Sequence, residues 1–217
     1  AEELALPCYL IGGFVRDKII GRPTKDMDVV CLGDGIDLAG AVAAQFHPKP
    51  EVNFFKNFGT AQIKAADMEI EFVGARKESY RQHSRKPEVE PGTLEDDQNR
   101  RDFTINALAI SLNKQDFGKL IDPFGGLKHI EEKLLKTPLE PGVTFSDDPL
   151  RMMRAIRFSA QLNYTIEEGT LNAIAANAHR IKIVSGERIA DELNKILMCV
   201  KPSIGFDHLY KTGLLKI

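Results

Sequence analysis

Cys8-Tyr9-Leu10-Ile11 is a short apolar run halted by Gly12-Gly13, after which Val15, Ile19 and Ile20 stand at helical spacing until Gly21 and Pro23 end the pattern. A strand, a glycine turn and a helix are predicted. A second strand is expected over Met27 to Leu32, a helix over Ile36 to Phe46, and further strands around Val52–Phe55 and Thr60–Ala65. From Met68 to Val73 apolar and acidic side chains alternate, which sets Glu69 and Glu71 on one face of a strand and Ile70 and Phe72 on the other.

The stretch from Arg76 to Arg101 is charged, holds Pro87, Pro91 and Gly92, lacks apolar periodicity, and predicts a long mobile loop. Apolar pattern returns from Phe103 to Leu112, and Ile121-Asp122-Pro123-Phe124-Gly125-Gly126 reads as a turn into a helix reaching about Leu135. Thr137 to Thr144, with Pro138, Pro141 and Gly142, is the expected boundary between a mixed α/β part, 1–137, and an all-α part, 138–217. Beyond it, Ser146-Asp147-Asp148-Pro149 supplies N-cap acceptors and a first-turn proline for a helix to about Leu162. Further helices are predicted at Glu167–Ala178, Gly186–Cys199 and Ser203–Thr212. This α+β order argues for two packed units sharing a cleft, a favoured place for a binding site.

With 43% hydrophobic and 28% charged residues the chain can build real cores. Cys8, Cys31 and Cys199 stand far apart without CxxC spacing, so neither a disulfide framework nor a structural zinc site is indicated and a reducing cytoplasm is the expected home. No apolar run approaches the length of a membrane span. The chain opens at Ala1 without an initiator Met, and the natural polypeptide is expected to extend beyond both ends. Net charge is −2, yet it is unevenly placed: residues 1–150 carry 19 basic and 25 acidic side chains, residues 151–217 carry 10 and 6. An acidic part able to hold metal thus precedes a basic part able to hold phosphates.

Gly12-Gly13-Phe14-Val15-Arg16-Asp17 stands just before Asp26 and Asp28. A glycine turn entering a helix can offer backbone N–H groups to an anion, with Arg16 as a charge-assisted donor about one turn later, a seat for a triphosphate. Period-2 alternation aims Asp26 and Asp28 to the same side of a strand, and two neighbouring carboxylates repel unless a cation lies between them. Mg²⁺ is oxygen-seeking and is often held by one or two carboxylates plus substrate phosphates. The strand with Glu69 and Glu71 can add a third carboxylate for a two-metal displacement, though spacing alone does not separate the two. There is no Walker glycine-lysine loop, which disfavours a P-loop NTPase.

The strings GGFVRD, DMD, EFVGAR, RRDFTINALA, LIDPFGG, DDPLRMMRAIRF and ERIADEL follow one another from about Leu10 to Leu197. In that order they resemble the class II tRNA nucleotidyltransferases, or CCA-adding enzymes, and the related bacterial poly(A) polymerases. The resemblance implies a polymerase-beta-like nucleotidyltransferase head, a mixed sheet with helices, followed by an all-α neck, with helical body and tail segments beyond Ile217. It implies that Gly12, Gly13 and Arg16 touch nucleotide phosphates, that Asp26 and Asp28 bind two Mg²⁺ ions, and that Glu71 is the third carboxylate. Arg101 would contact nucleotide, with Asp102 and Asn106 near the sugar. The implied activity is addition of C and A from CTP and ATP to the 3′ end of tRNA. The alternatives are a poly(A) polymerase using ATP only, an A-adding enzyme, or a non-catalytic nucleotide- or RNA-binding relative.

Asp148, Arg151, Arg154 and Arg157 recur every third residue, so the row winds around a helix and its ends divide the labour. A carboxylate accepts hydrogen bonds and a guanidinium donates them, so Asp148 suits the amino groups of cytosine and adenine, and Arg151 suits the neighbouring acceptors. The family resemblance implies that these two side chains choose the base. Arg154 and Arg157 are expected to clamp the triphosphate or support that pair, because this helix lacks acidic partners of its own. In the resembling family a loop between head strands is needed for switching from C to A addition, and here that segment carries Glu95-Asp96-Asp97 before the arginine pair, which favours A addition over CC-only activity.

Overall fold

The computed structural model describes residues 2–55, 59–79 and 88–216. By its internal contacts the chain divides into two units, residues 1–78, 89–101 and 105–127 in the first, residues 79–88, 102–104 and 128–217 in the second.

The first unit runs β1 (Cys8–Ile11), α1 (Gly13–Ile19), β2 (Asp26–Cys31), α2 (Gly35–Ala43), β3 (Val52–Phe55), β4 (Thr60–Ala65) and β5 (Met68–Gly74). β6 (Arg76–Ser79), β7 (Glu88–Pro91), α3 (Leu94–Asn99), β8 (Ala109–Ser111) and β9 (Leu120–Ile121) follow. Seven strands form one mixed sheet in the order β3-β4-β5-β2-β1-β8-β9, with β2 and β5 parallel and the other pairs antiparallel. Strand alternation divides the sheet into two chemistries. Cys8, Val29, Cys31, Ala61, Ile63 and Phe72 face α2, where Leu38, Ala39 and Ala43 close an apolar core. Each fully buried aliphatic side chain there contributes about 1.5–3 kcal/mol. The same alternation turns Asp26, Asp28, Glu69 and Glu71 to the opposite face. Asp34 caps α2, its Oδ1 accepting from the N–H groups of Ile36 and Asp37 at 2.7 and 3.2 Å.

The expectation of one long loop over Arg76–Arg101 is corrected by β6, β7 and α3; residues 80–87 lie outside the described residues. α3 is too short and polar to show apolar periodicity, but it opens on a capping box. Thr93 Oγ1 accepts from Asp96 N–H at 3.1 Å while the Asp96 carboxylate accepts from Thr93 N–H at 2.8 Å. Leu94 and Gln98 anchor it. Leu94 packs with Ile11, Val30, Ala75 and Ala109, and Gln98 Nε2 donates to the Ala107 carbonyl at 2.7 Å.

The helix after the Asp122 turn, α4 (Gly126–Glu131), stops short of the predicted Leu135. Lys133 takes a left-handed φ of 53°, and Leu134–Leu135 becomes strand β10, parallel to β11 (Thr165–Ile166). The second unit is therefore not wholly α-helical. Its helices are α5 (Pro141–Asp147), α6 (Leu150–Leu162), α7 (Glu168–Asn177), α8 (Gly186–Leu197) and α9 (Pro202–Lys211). α5 occupies residues read as linker and cap. Asp148 lies between two helices, its Oδ1 accepting from Leu150 N–H at 3.2 Å, and Pro149 takes the cap position of α6. α6 buries Met152, Met153, Ala155, Ile156, Phe158 and Ala160, which makes it the central helix of this unit, and α8 and α9 pack on it. Among the described residues no helix is long and apolar enough to cross a membrane.

Candidate active site

On the first unit, Asp28 and Glu71 are direct partners across the parallel strands β2 and β5, and Asp26 stands opposite Glu69. Asp28 and Glu71 line a cavity of about 460 Å³ whose wall also includes Gln62, Arg76, Arg100 and Arg101. Glu69 is not part of that wall; its carboxylate meets Lys64 Nζ at 3.5 Å and accepts from Gln62 Nε2 at 3.4 Å. Asp26 is exposed at the start of β2 and Asp28 is half-buried. Burial pushes the Asp28 carboxyl above the ordinary carboxylate range, Arg101 pulls it down, and Asp26 and Asp97 push it up again. Among the described residues neither the Asp28 nor the Glu71 carboxylate has a hydrogen-bond or salt-bridge partner, and no group of three or more His, Cys, Asp or Glu side chains forms a ready-made metal cage. The donors present are oxygens alone, which fits a hard divalent cation completed by phosphate and water.

The cationic wall is held by carboxylates that sequence reasoning did not single out. Asp97 is fully buried; its Oδ1 accepts from Arg100 Nε at 2.9 Å and from Arg100 Nη2, and its Oδ2 accepts from Arg101 Nε and Nη2 at 3.1 and 2.9 Å. Glu78 Oε1 accepts from Arg76 Nε at 2.8 Å and from Arg100 Nη1 at 3.4 Å. Burial alone would raise the Asp97 carboxyl, but Arg101 and Arg100 hold it below the usual range. The signal for Asp97 was local: an acid three and four residues before two arginines, just inside a T-x-x-D cap.

Gly12 adopts φ 82° and ψ −142°, a backbone region open to glycine. A Cβ there would lie 3.0 Å from Arg101 Nη1 and 3.2 Å from Asp28 Oδ2, so the turn passes close to both walls of the site. The Gly12 N–H donates to the Leu108 carbonyl at 3.2 Å and is thus engaged within the protein. α1 has only seven residues, and Arg16 is turned inward, 4% exposed, donating from Nε to Asp17 Oδ1 at 2.8 Å and from Nη1 to Asn106 Oδ1. Arg16 packs under Gly13, within 3.5 Å of the position a Cβ would take, and ties that turn to Asn106.

In the second unit Asp102 and Arg154 are joined: Arg154 Nε and Nη2 each approach Asp102 Oδ2 at 2.7 Å, and Asp102 Oδ1 accepts from Phe103 N–H at 2.9 Å. Arg157 donates from Nε to the buried Glu192 Oε2 at 2.7 Å and lies 4.0 Å from the centre of the Phe158 ring. α6 carries no acid of its own, as expected, yet both arginines are paired, because the partners come from distant parts of the chain. Arg157 is 9% exposed and ties α6 to α8. Asp148 and Arg151 are both half-buried, and the Arg151 N–H donates to the Asp148 carbonyl at 3.0 Å.

A nucleotidyltransferase head is the class this sheet and its acidic, arginine-walled cavity define. The sequence matches the family described as "Poly A polymerase head domain" over residues 8–136 and that described as "Probable RNA and SrmB- binding site of polymerase A" over residues 163–217. The chain belongs to the poly(A) polymerase and tRNA nucleotidyltransferase family. It is 40% identical over 198 residues to the A-adding tRNA nucleotidyltransferase of Aquifex aeolicus, 88% of this chain and 23% of that protein. It is 34% identical to the CCA-adding enzyme of Ligilactobacillus salivarius, covering 99% and 51%. A crystal structure of a tRNA nucleotidyltransferase complexed with a primer tRNA and an incoming ATP analog superposes with a TM-score of 0.86 at 34% identity, covering 100% of this chain and 60% of that one. The fold is thus the polymerase-beta-like nucleotidyltransferase head followed by a mainly helical neck. The chain spans about a quarter to a half of the length of the two curated relatives.

Proposed function

We propose that the chain carries the catalytic centre of a tRNA 3′-end nucleotidyltransferase that adds C and A from CTP and ATP. One observation carries the reading: in a member of this family, Asp28 and Glu71 stand in register on adjacent strands and share a cavity with Arg76, Arg100 and Arg101. Carboxylates for a divalent cation and guanidiniums for phosphate are what transfer of a nucleotidyl group needs on facing walls. Asp26 and Asp28 would hold two Mg²⁺ ions, which when bound neutralise the triphosphate and activate the attacking hydroxyl. The RNA 3′-oxygen attacks the α-phosphorus, the bond to the β-phosphate oxygen breaks, and pyrophosphate leaves. Glu71 takes the hydroxyl proton directly or through water. Arg101 binds the phosphates, with Arg100 beside it. Gly12 and Gly13 let the triphosphate approach the backbone, and Arg16 braces their turn. Asp102, held by Arg154, and Asn106 serve the sugar, while Asp148 and Arg151 read the edge of the base.

A second reading, addition of the terminal A alone, is favoured by the relatives of 40% and 38% identity, both A-adding enzymes. Supplying tRNA that lacks its last one or last three nucleotides with each nucleoside triphosphate separately, and with CTP and ATP together, tests both. Growth by CCA on the tRNA lacking three nucleotides supports the first reading; a single A on the CC end with no growth of the tRNA lacking three supports the second. A long A run identifies a poly(A) polymerase, and no incorporation with any substrate defeats the proposal.

A further inference from the structure

We infer that Asp97 is a positioning residue that aims Arg100 and Arg101 at the phosphates and keeps Arg101 from closing onto Asp28. The inference deepens the proposed function and rests on it. Asp97 accepts from the Nε and Nη2 edge of both guanidiniums, four contacts onto one buried carboxylate. Each arginine is thereby fixed in rotation, and Arg101 Nη1 is directed at the Gly12 turn. Arg101 Nη1 and Asp28 Oδ2 stand 3.0 and 3.2 Å from the same point, the position a Gly12 Cβ would take, and the Asp28 carboxylate has no hydrogen-bond partner among the described residues. A guanidinium released from Asp97 would have the Asp28 carboxylate within its reach, and by turning there it would occupy an oxygen meant for a cation. Asp97 prevents this by offering Arg101 a better-aligned, fully desolvated partner.

A purely architectural role fits less well. α3 is held in place by Leu94 in the core and by Gln98 on the Ala107 carbonyl, and its N-terminus by Thr93 and Asp96. The Asp97 side chain takes no part in these anchors; both of its oxygens serve arginines that line the cavity.

The test is calorimetric titration of the full protein with ATP, with adenosine and with Mn²⁺. Asp97→Asn should lower ATP affinity about tenfold or more, as loss of charge-assisted alignment does, and leave adenosine binding unchanged. It should also weaken Mn²⁺ binding, and an Arg101→Gln background should remove that second effect, because the competing guanidinium is gone. Should Asp97→Asn fail to fold, Asp97→Glu keeps the charge but shifts it by one methylene and should still reduce ATP affinity selectively. Equal losses for ATP and adenosine, or unaltered ATP affinity in these variants, would overturn the inference while leaving the proposed function intact. Wild-type protein that binds no ATP would overturn the proposed function and the inference with it.

Discussion

Arg154 presents both Nε and Nη2 to a single oxygen of Asp102, 52 residues away in the chain, at 2.7 Å each. Asp102 pulls the Arg154 guanidinium above its ordinary range, against the effect of burial. Asp102 is 7% exposed, so Arg154→Ala takes two close charge-assisted contacts away from a buried carboxylate. The expected loss is about 1.5–3 kcal/mol, read as a lower urea midpoint, with Arg154→Lys intermediate. An unchanged midpoint for the alanine variant would show the pair to be energetically idle.

Asp28→Asn should separate activity from stability. The carboxylate is half-buried beside Asp26 and Asp97, so the amide is expected to hold or raise the melting temperature in metal-free buffer. Nucleotide incorporation should fall about a hundredfold or more, and Glu71→Gln should fall comparably. Near-normal incorporation by either variant would remove that residue from the chemistry.

Gly12→Ala and Gly21→Ala both force a Cβ onto positive φ, 82° and 70° respectively, yet only the first meets neighbours, Arg101 Nη1 and Asp28 Oδ2. Both should lose about 1–3 kcal/mol of stability from backbone strain. Gly12→Ala alone should also depress kcat/KM for nucleotide incorporation. Equal kinetics in the two variants would mean that close approach at Gly12 is unimportant.

His208, half-buried on α9, has its imidazole held below the ordinary value of 6.5 by burial and by Lys211, with Asp207 opposing. Its neutral form therefore supports the fold above about pH 6.5, and that support is lost as pH falls towards the lowered value. Urea midpoints should decline between about pH 7 and 5 in wild type more steeply than in His208→Gln. Parallel curves would exclude this histidine as a source of the decline.

Asp148→Ala tests base selection. If its carboxylate reads the amino group of cytosine and adenine, discrimination against UTP and GTP should shrink by about 1–3 kcal/mol while Mn²⁺ affinity stays constant. Full discrimination in the variant would reject the edge-reading role.

The sheet was legible because its strands alternate: the Met68–Val73 pattern alone separates Glu71 from Phe72, and β3 and β4 have the predicted limits. α6 was announced by Asp148 and Pro149 at its start, and α7, α8 and α9 fall on the segments expected to be helical. α3 was not, since a six-residue polar helix has no periodicity to show and only its cap betrays it. Leu134–Leu135 look like the end of a helix until their partners at Thr165–Ile166, some thirty residues on, are known. The same distance hid the ion pairs. Nothing near Arg154 or Arg157 in the sequence announces Asp102 or Glu192, and without them both arginines read as free cations.

Glu71 meets Asp28 because Phe72 and Ile70 on the reverse of β5 are packed with α2, and sliding β5 by one residue would expose that apolar pair to water. The acidic partners mutually repel and would not choose this pairing themselves; the oily side imposes it on them. Chemistry at positions 28 and 71 is accordingly rewritable: new side chains placed there would arrive side by side without any redesign of the scaffold.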